Sequence, residues 1–260
     1  MTARRWLFTG VAGLAFLMVL GRLFTGVYAE WRWYAAMGAL PLYQSKLLHE
    51  TILRGGAALL GFGFAFANLY AVRNSIVSLV LPRKLGNLDF SEEVPGRRLM
   101  ALVVMLSIVL AVVLAIPQDD WVTLALAQRS IPFGERDPYQ DRDFGFYVYD
   151  IPLERSLHVW AIATLLLVGA AVVFLYALTP SLRWQRGRLH VSTYVRRHFG
   201  VLTALVLLLV GWSYRLEGVS LLTSGSGALA AYTSFDDKVM APLLTGLSIA
   251  AFAASLVVLW

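Results

Sequence analysis

The sequence predicts an all-α integral membrane protein of about six transmembrane helices, with an ordered outer loop between the third and fourth. Three observations carry that prediction. Of 260 residues, 58% are hydrophobic and 15% charged, far from the roughly half-apolar, quarter-charged balance of soluble domains. The apolar residues gather in runs long enough to cross a bilayer. Lys and Arg alternate from one connection to the next.

A spanning helix needs about 20 mostly apolar residues, because the hydrocarbon is roughly 30 Å thick and each residue rises about 1.5 Å. The runs fall at approximately 6–27, 51–72, 99–116, 156–178, 201–216 and 239–260. The fifth is the shortest. Together they predict one transmembrane domain over 1–260, with an outer interfacial loop at 117–155. A cleaved leader peptide is the competing reading of the first run, since Arg4 and Arg5 precede it and "VYA" ends it before Glu30. Arg22, near the outer end of that run, is placed to snorkel to headgroups.

Cytoplasmic loops carry the excess of Lys and Arg. The N-terminus has Arg4 and Arg5; the second connection has Arg73, Arg83, Lys84, Arg97 and Arg98; the fourth has Arg183, Arg186, Arg188, Arg196 and Arg197 with no acid. The 117–155 loop instead carries eight acids against four arginines, and 217–238 has Glu217, Asp236 and Asp237 against Lys238. This alternation predicts six spans with both termini cytoplasmic.

The net charge of +6 lies in short clusters between apolar runs, so it is read as topological and no nucleic-acid partner is expected. With no cysteine, disulfides, thiolate metal sites and cysteine nucleophiles are excluded. Inside the runs the polar residues are mainly Asn68, Ser107, Thr164, Thr203, Thr245, Ser248 and Ser255. The midplane carboxylate or broken helix of a coupled transporter is missing from this pattern. Gly61 and Ala65, and one step round Gly63 and Ala67, form small faces suited to close helix packing, within the chain or with another subunit.

Of the four histidines, His158 is the best-placed candidate for an axial cofactor ligand, with a headgroup contact as the plainer reading. His190 and His198 fall in the arginine-rich connection. Its segment Arg183–Gly200 reads as an interfacial helix or loop in which Arg183, Arg186, Arg188, Arg196 and Arg197 contact anionic lipid. "TSGSG" at 223–227 reads as a flexible outer turn.

The outer loop contains "DPYQDRDFGFYVYDIP", residues 137–152, where acids and aromatics crowd together. Its rings suit the headgroup level. The segment 144–149 fits a short strand or one to two turns of helix. Asp137, Asp141 and Asp143 are closely spaced, but the calcium-loop pattern is incomplete and Arg136 and Arg142 neutralise them locally, so no metal site is expected.

This stretch resembles the bacterial Uncharacterised Protein Family 0182. Asp137, Pro138 and Tyr139 match its Asp-Pro-aromatic element; Asp143, Gly145, Phe146, Tyr147, Val148 and Tyr149 match Asp-x-Gly-Phe-Tyr-Val-aromatic; Pro152 matches Leu-Pro. Phe144 stands where an aliphatic residue is common, and Ile151 replaces the leucine. The resemblance extends to "EWRWYAAMG" (30–38) and "YTSFDD" (232–237). It implies an architecture of about seven spans followed by a large extracytoplasmic domain, and brings no activity with it. The sequence ends at Trp260, after the sixth span, as a short form or as the first part of a longer protein.

With no base, nucleophile and orienting partner converging, the expected function is non-catalytic. The chain reads as a structural or accessory subunit that contacts membrane lipids and other membrane protein subunits in a larger assembly. The alternative is a channel or transporter for a lipid or other apolar substrate.

Overall fold

A computed structural model describes residues 2–78, 96–178, 182–185, 188–226 and 231–260. Its helices are α1 (Thr2–Ala36), α2 (Leu40–Ser78), α3 (Gly96–Ala115), α4 (Trp121–Gln128), α5 (Ile151–Ala177), α6 (Thr193–Ser224) and α7 (Ala241–Leu259). A short hairpin, β1 (Leu182–Gln185) and β2 (Arg188–Val191), joins α5 to α6. Six helices are long and apolar enough to cross a membrane. The chain divides into two compact units, 1–51 and 52–260.

In the first unit, the connection between the first two spans is almost wholly helical. α1 runs to Ala36, Gly38 turns the chain at φ +70°, and α2 begins at Leu40. The turn is held by side chains of the "EWRWYAAMG" stretch. Lys46 Nζ donates to Glu30 at 2.8 Å, Tyr34 stacks on Tyr43 with ring centroids 5.2 Å apart, and the Tyr43 hydroxyl donates to the Val27 carbonyl at 3.0 Å.

The second unit is built on a core drawn from four helices. Ala65, Leu69 and Val72 of α2 meet Leu110 of α3, Leu165, Val168, Val172 and Tyr176 of α5, and Val195 and Leu202 of α6. The three- and four-residue spacings put each set on one helix face. Large apolar side chains such as Leu166 (65% exposed), Phe174 (62%) and Ile249 (64%) point outward. These helices are long and apolar enough to cross a membrane, and close approach between them holds the core.

Small residues supply it. Gly61 lies against Leu114 and Gly211 against Phe252 and Ser248. Gly61 and Ala65 face inward, whereas Gly63 and Ala67 are exposed. Side-chain donors also reach across to backbone carbonyls: Ser248 to Gly211 at 2.8 Å, Trp160 to Leu114 at 3.2 Å, Tyr194 to Ala71 at 3.0 Å. Each uses a carbonyl lone pair that the helix leaves over.

Several predicted boundaries are corrected. The helix that holds the second predicted span begins at Leu40, ahead of 51, because Lys46 and Glu50 continue it. The fifth, predicted at 201–216, is the 32-residue α6. Its charged ends, Arg196–Arg197 and Arg215–Glu217, hid its length. It starts at an N-cap, where the Ser192 hydroxyl accepts from the Val195 amide at 3.4 Å. His198 is thus on a helix and not in the connection.

The segment 182–191 is a hairpin in place of an interfacial helix or loop. Its register sets Leu182 opposite Val191 and Trp184 opposite Leu189, with Arg183 opposite His190 and Gln185 opposite Arg188. Arg186, a predicted lipid contact, lies outside the described residues.

A Cβ at Gly211 would stand 2.8 Å from the Phe252 ring and 3.1 Å from the Ser248 carbonyl; at Gly63 it would meet nothing within 4 Å. Gly211→Ala is expected to cost about 1–3 kcal/mol. Gly63→Ala is expected to be neutral or to stabilise by up to about 1 kcal/mol. Thermal unfolding of both variants in the same detergent checks the contrast.

Candidate functional site

The 117–155 segment and the turn before α7 meet at one end of the second unit. The loop is shorter than predicted. It contains α4, N-capped by Asp120, whose carboxylate accepts from the Thr123 amide at 3.4 Å. Its last ten residues are already helical: a π-helical turn over Phe146–Asp150 runs into α5. The helical alternative for 144–149 is therefore the right one.

A matching π turn, Asp236–Met240, precedes α7. Both π turns stand immediately before an X-Pro pair, Ile151–Pro152 and Ala241–Pro242. Proline has no N–H to donate and its ring presses on the carbonyl four residues back. The wider turn lets Ile151 N–H bond Phe146 and Ala241 N–H bond Asp236 instead.

Three carboxylates organise the irregular backbone. Asp137 is buried, and its Oδ1 accepts from the Tyr139 amide at 3.1 Å while Oδ2 accepts from the Gln140 amide at 2.6 Å and the Tyr147 hydroxyl at 3.1 Å. Pro138 presets the turn after it. The tight loop closes by Asp137 N–H to Arg142 O at 2.8 Å, with Asp141 in the left-handed region at φ +52°.

Asp143 Oδ1 accepts from the amides of Phe133 (3.0 Å) and Gly145 (2.7 Å), and Oδ2 from Gly134 (3.0 Å). These N–H groups, Phe133 foremost and then Gly145, hold its carboxyl below the usual range. A Cβ at Gly145 would lie 2.9 Å from Asp143 Oδ1 and 3.2 Å from the Ile131 carbonyl. That contact explains the glycine of the Asp-x-Gly element.

The third carboxylate, Asp236, is fully buried. Thr233 and Asp236 form a reciprocal capping box: Thr233 N–H donates to Oδ2 at 2.8 Å, and Asp236 N–H to the Thr233 hydroxyl at 3.3 Å. Ser226 adds a hydroxyl bond to the same carboxylate. Part of "TSGSG" is thereby fixed rather than flexible, since Thr223 and Ser224 end α6 and Gly225 turns at φ +64°. Gly227 is outside the described residues.

Aromatic contacts tie these pieces together. Tyr139 meets Tyr232 with centroids 4.5 Å apart, Phe133 meets Tyr149 at 6.0 Å, and the Arg142 guanidinium lies 5.1 Å over the Phe146 ring. The predicted set Asp137, Pro138, Tyr139, Asp143, Gly145, Phe146, Tyr147, Tyr149 and Pro152 is thus one continuous structure. Among the described residues, no group of three or more His, Cys, Asp or Glu is placed to hold a metal ion.

His158 lies just below, buried. Its Nε2 bonds the Leu209 carbonyl at 3.0 Å and so carries the proton, and its ring meets Trp212 edge-on at 5.0 Å. Glu154, one turn earlier, accepts from Trp212 Nε1 at 2.6 Å and pairs with Arg215. The half of the α5–α6 seam nearest this end is therefore a polar ladder.

At the opposite end, Tyr176, His198 and Asn68 join three helices. The Tyr176 hydroxyl donates to His198 Nδ1 at 2.8 Å, His198 Nε2 donates to Asn68 Oδ1 at 2.9 Å, and Asn68 Nδ2 donates to the Phe64 carbonyl at 2.7 Å. Sequence reasoning missed this chain because His198 was assigned to a connection. The available signal was Asn68, a polar side chain on an apolar face that needs a partner.

Long apolar helices closed at one end by carboxylate-capped turns define a multi-helical protein with membrane-span-like helices. The chain belongs to the family described as Uncharacterised protein family (UPF0182), whose model matches residues 7–260. A UPF0182 protein of Moorella thermoacetica is 30% identical over 215 residues, covering 78% of this chain and 23% of that protein. One from Synechococcus sp. (strain JA-2-3B'a(2-13)) is 30% identical over 217 residues, covering 84% and 23%. One from Cupriavidus necator is 26% identical over 258 residues, covering 94% and 27%. The chain thus spans about a quarter of the length of the curated relatives it matches. None of these names states an activity. No solved structure matches the chain.

The sign of the Asp143 shift sets a pH dependence. A carboxyl held below its ordinary value of 3.8 stabilises the fold above that value, and the contribution is lost as pH falls through the lowered one. Asp143→Asn, which offers one acceptor oxygen for three amides, is expected to melt below the wild type at neutral pH. The gap should close as pH drops below 3.8. A constant gap from pH 7 to pH 3 would contradict the assignment. Gly145→Ala is expected to destabilise by about 1–3 kcal/mol through overpacking at the same carboxylate.

Proposed function

We propose that this chain is the membrane-embedded helical part of a UPF0182 protein, with a non-catalytic, structural or accessory role inside a larger membrane assembly. The observation that carries this reading is the capped end. Asp137, Asp143 and Asp236 spend their oxygens on backbone and hydroxyl donors within the chain. They therefore order a platform, while Tyr139 (58% exposed), Phe133 (54%) and Phe144 (40%) stay open on it. Preordered aromatic surface of this kind suits contact with another protein.

The reading places the chain in the bacterial cytoplasmic membrane, with residues 1 and 260 and the arginine-rich connections on the cytoplasmic side. Arg183, Arg186, Arg188, Arg196 and Arg197 then meet the anionic leaflet, each contributing about 1 kcal/mol near the surface. Exposure of Arg196 and Arg197 supports this. The second reading, a channel or transporter for a lipid or other apolar substrate, is favoured by a large apolar groove between α3 and α5.

Two experiments check the proposal. These 260 residues contain no cysteine, so Gln140→Cys and Arg197→Cys each introduce one thiol into them. An impermeant maleimide should label position 140 on right-side-out membranes and position 197 only after they are opened; the reverse pattern refutes the orientation. A photocrosslinker in place of Tyr139 should give one adduct of defined mass, with none from the same group at Leu166. A protein that stays monomeric in mild detergent and gives no adduct from Tyr139 contradicts the assembly role.

A further inference from the structure

A groove of about 1020 Å³ opens along α5, walled by α3, α4 and the start of the second unit's α2. Its lining is mostly apolar, with Leu114, Trp160, Ala163, Leu167 and Ala170 along it. From Ser156 to Ala170 it follows α5 for roughly 21 Å at 1.5 Å per residue, more than half of a ~30 Å hydrocarbon core. A compact solute does not need that length; an extended acyl chain does.

Polar groups gather at one end of the groove. Arg155 and Asp120 both line it there, with Thr123 and Ser156 beside them. Arg155 is exposed and has no ion pair among the described residues. Asp120 caps α4 through Thr123; a carboxylate has about four lone-pair sites, so acceptor capacity remains. One cation and one anion on the rim of an apolar slot complement a headgroup bearing both charges.

We propose that this groove binds a zwitterionic glycerophospholipid with a primary ammonium. Arg155 takes the phosphate through its fork of N–H donors, Asp120 takes the ammonium, and an acyl chain lies along the α5 wall. Trp160, held by its bond to the Leu114 carbonyl, fixes the wall between head and tail. The proposal rests on the membrane placement above, but not on the assembly role.

The test is native mass spectrometry of the protein extracted from membranes in mild detergent, with phosphatidylethanolamine, phosphatidylcholine and phosphatidylglycerol added in turn. Its presence in the carbonate-washed membrane fraction reports membrane placement separately from the lipid result. The wild type should retain one phosphatidylethanolamine at detergent levels that strip other lipid, at least fivefold above either competitor. Arg155→Gln, at an exposed position, should lower retention of all three lipids, whose shared phosphate it takes, and Ala163→Trp should abolish retention by filling the slot. Equal retention of the three lipids, or retention unchanged in both variants, overturns the proposal. So does a groove that holds no lipid and instead crosslinks from position 163 to an apolar helix of another subunit.

Discussion

The bond between a carboxylate and unpaired backbone N–H groups is the interaction on which the rest of this structure depends. Long helices satisfy their own amides, but each entry into a helix leaves four without a partner. At the end where α5 and α7 begin, Asp137, Asp143 and Asp236 accept those amides and the neighbouring loop N–H groups. Without them the irregular chain between α3 and α5 would carry unpaired donors beside apolar helices, and each unpaired buried donor costs about 1–3 kcal/mol.

With that end fixed, the bundle follows from weak but well-directed contacts. The outward faces of the helices remain apolar, so the bundle depends on close packing and on hydrogen bonds between helices. Gly211 and Gly61 bring backbones close enough for dispersion to count. Ser248, Trp160, His158 and Tyr194 then reach across to carbonyls, each joining two helices. The Tyr176–His198–Asn68 chain does the same at the far end, with every member satisfied.

The helices were legible in the sequence because apolar run length is set by bilayer thickness, and six of the expected elements are present. Their ends were not, because charged residues such as Lys46, Glu50, Arg196 and Glu217 continue a helix that hydropathy reads as finished. The hairpin at 182–191 was missed for want of weighing alternation over only four residues per strand. At the site, the motif from Asp137 to Pro152 was visible as a cluster of acids and rings. That its acids face inward to amides was not, since which donor a carboxylate meets depends on a turn ten residues away, as with Phe133 and Asp143. Asp236 was likewise counted as a surface charge, though it is fully buried.

The account's central claim is that carboxylate caps make this end a fixed platform and not a mobile loop. Amide hydrogen exchange at neutral pH, on the protein in lipid nanodiscs, tests it most directly. The amides of Phe133, Gly134, Gln140 and Gly145, each bonded to a carboxylate, should exchange at least a hundredfold more slowly than unstructured peptide. Exchange of all four at the unstructured rate would contradict the claim.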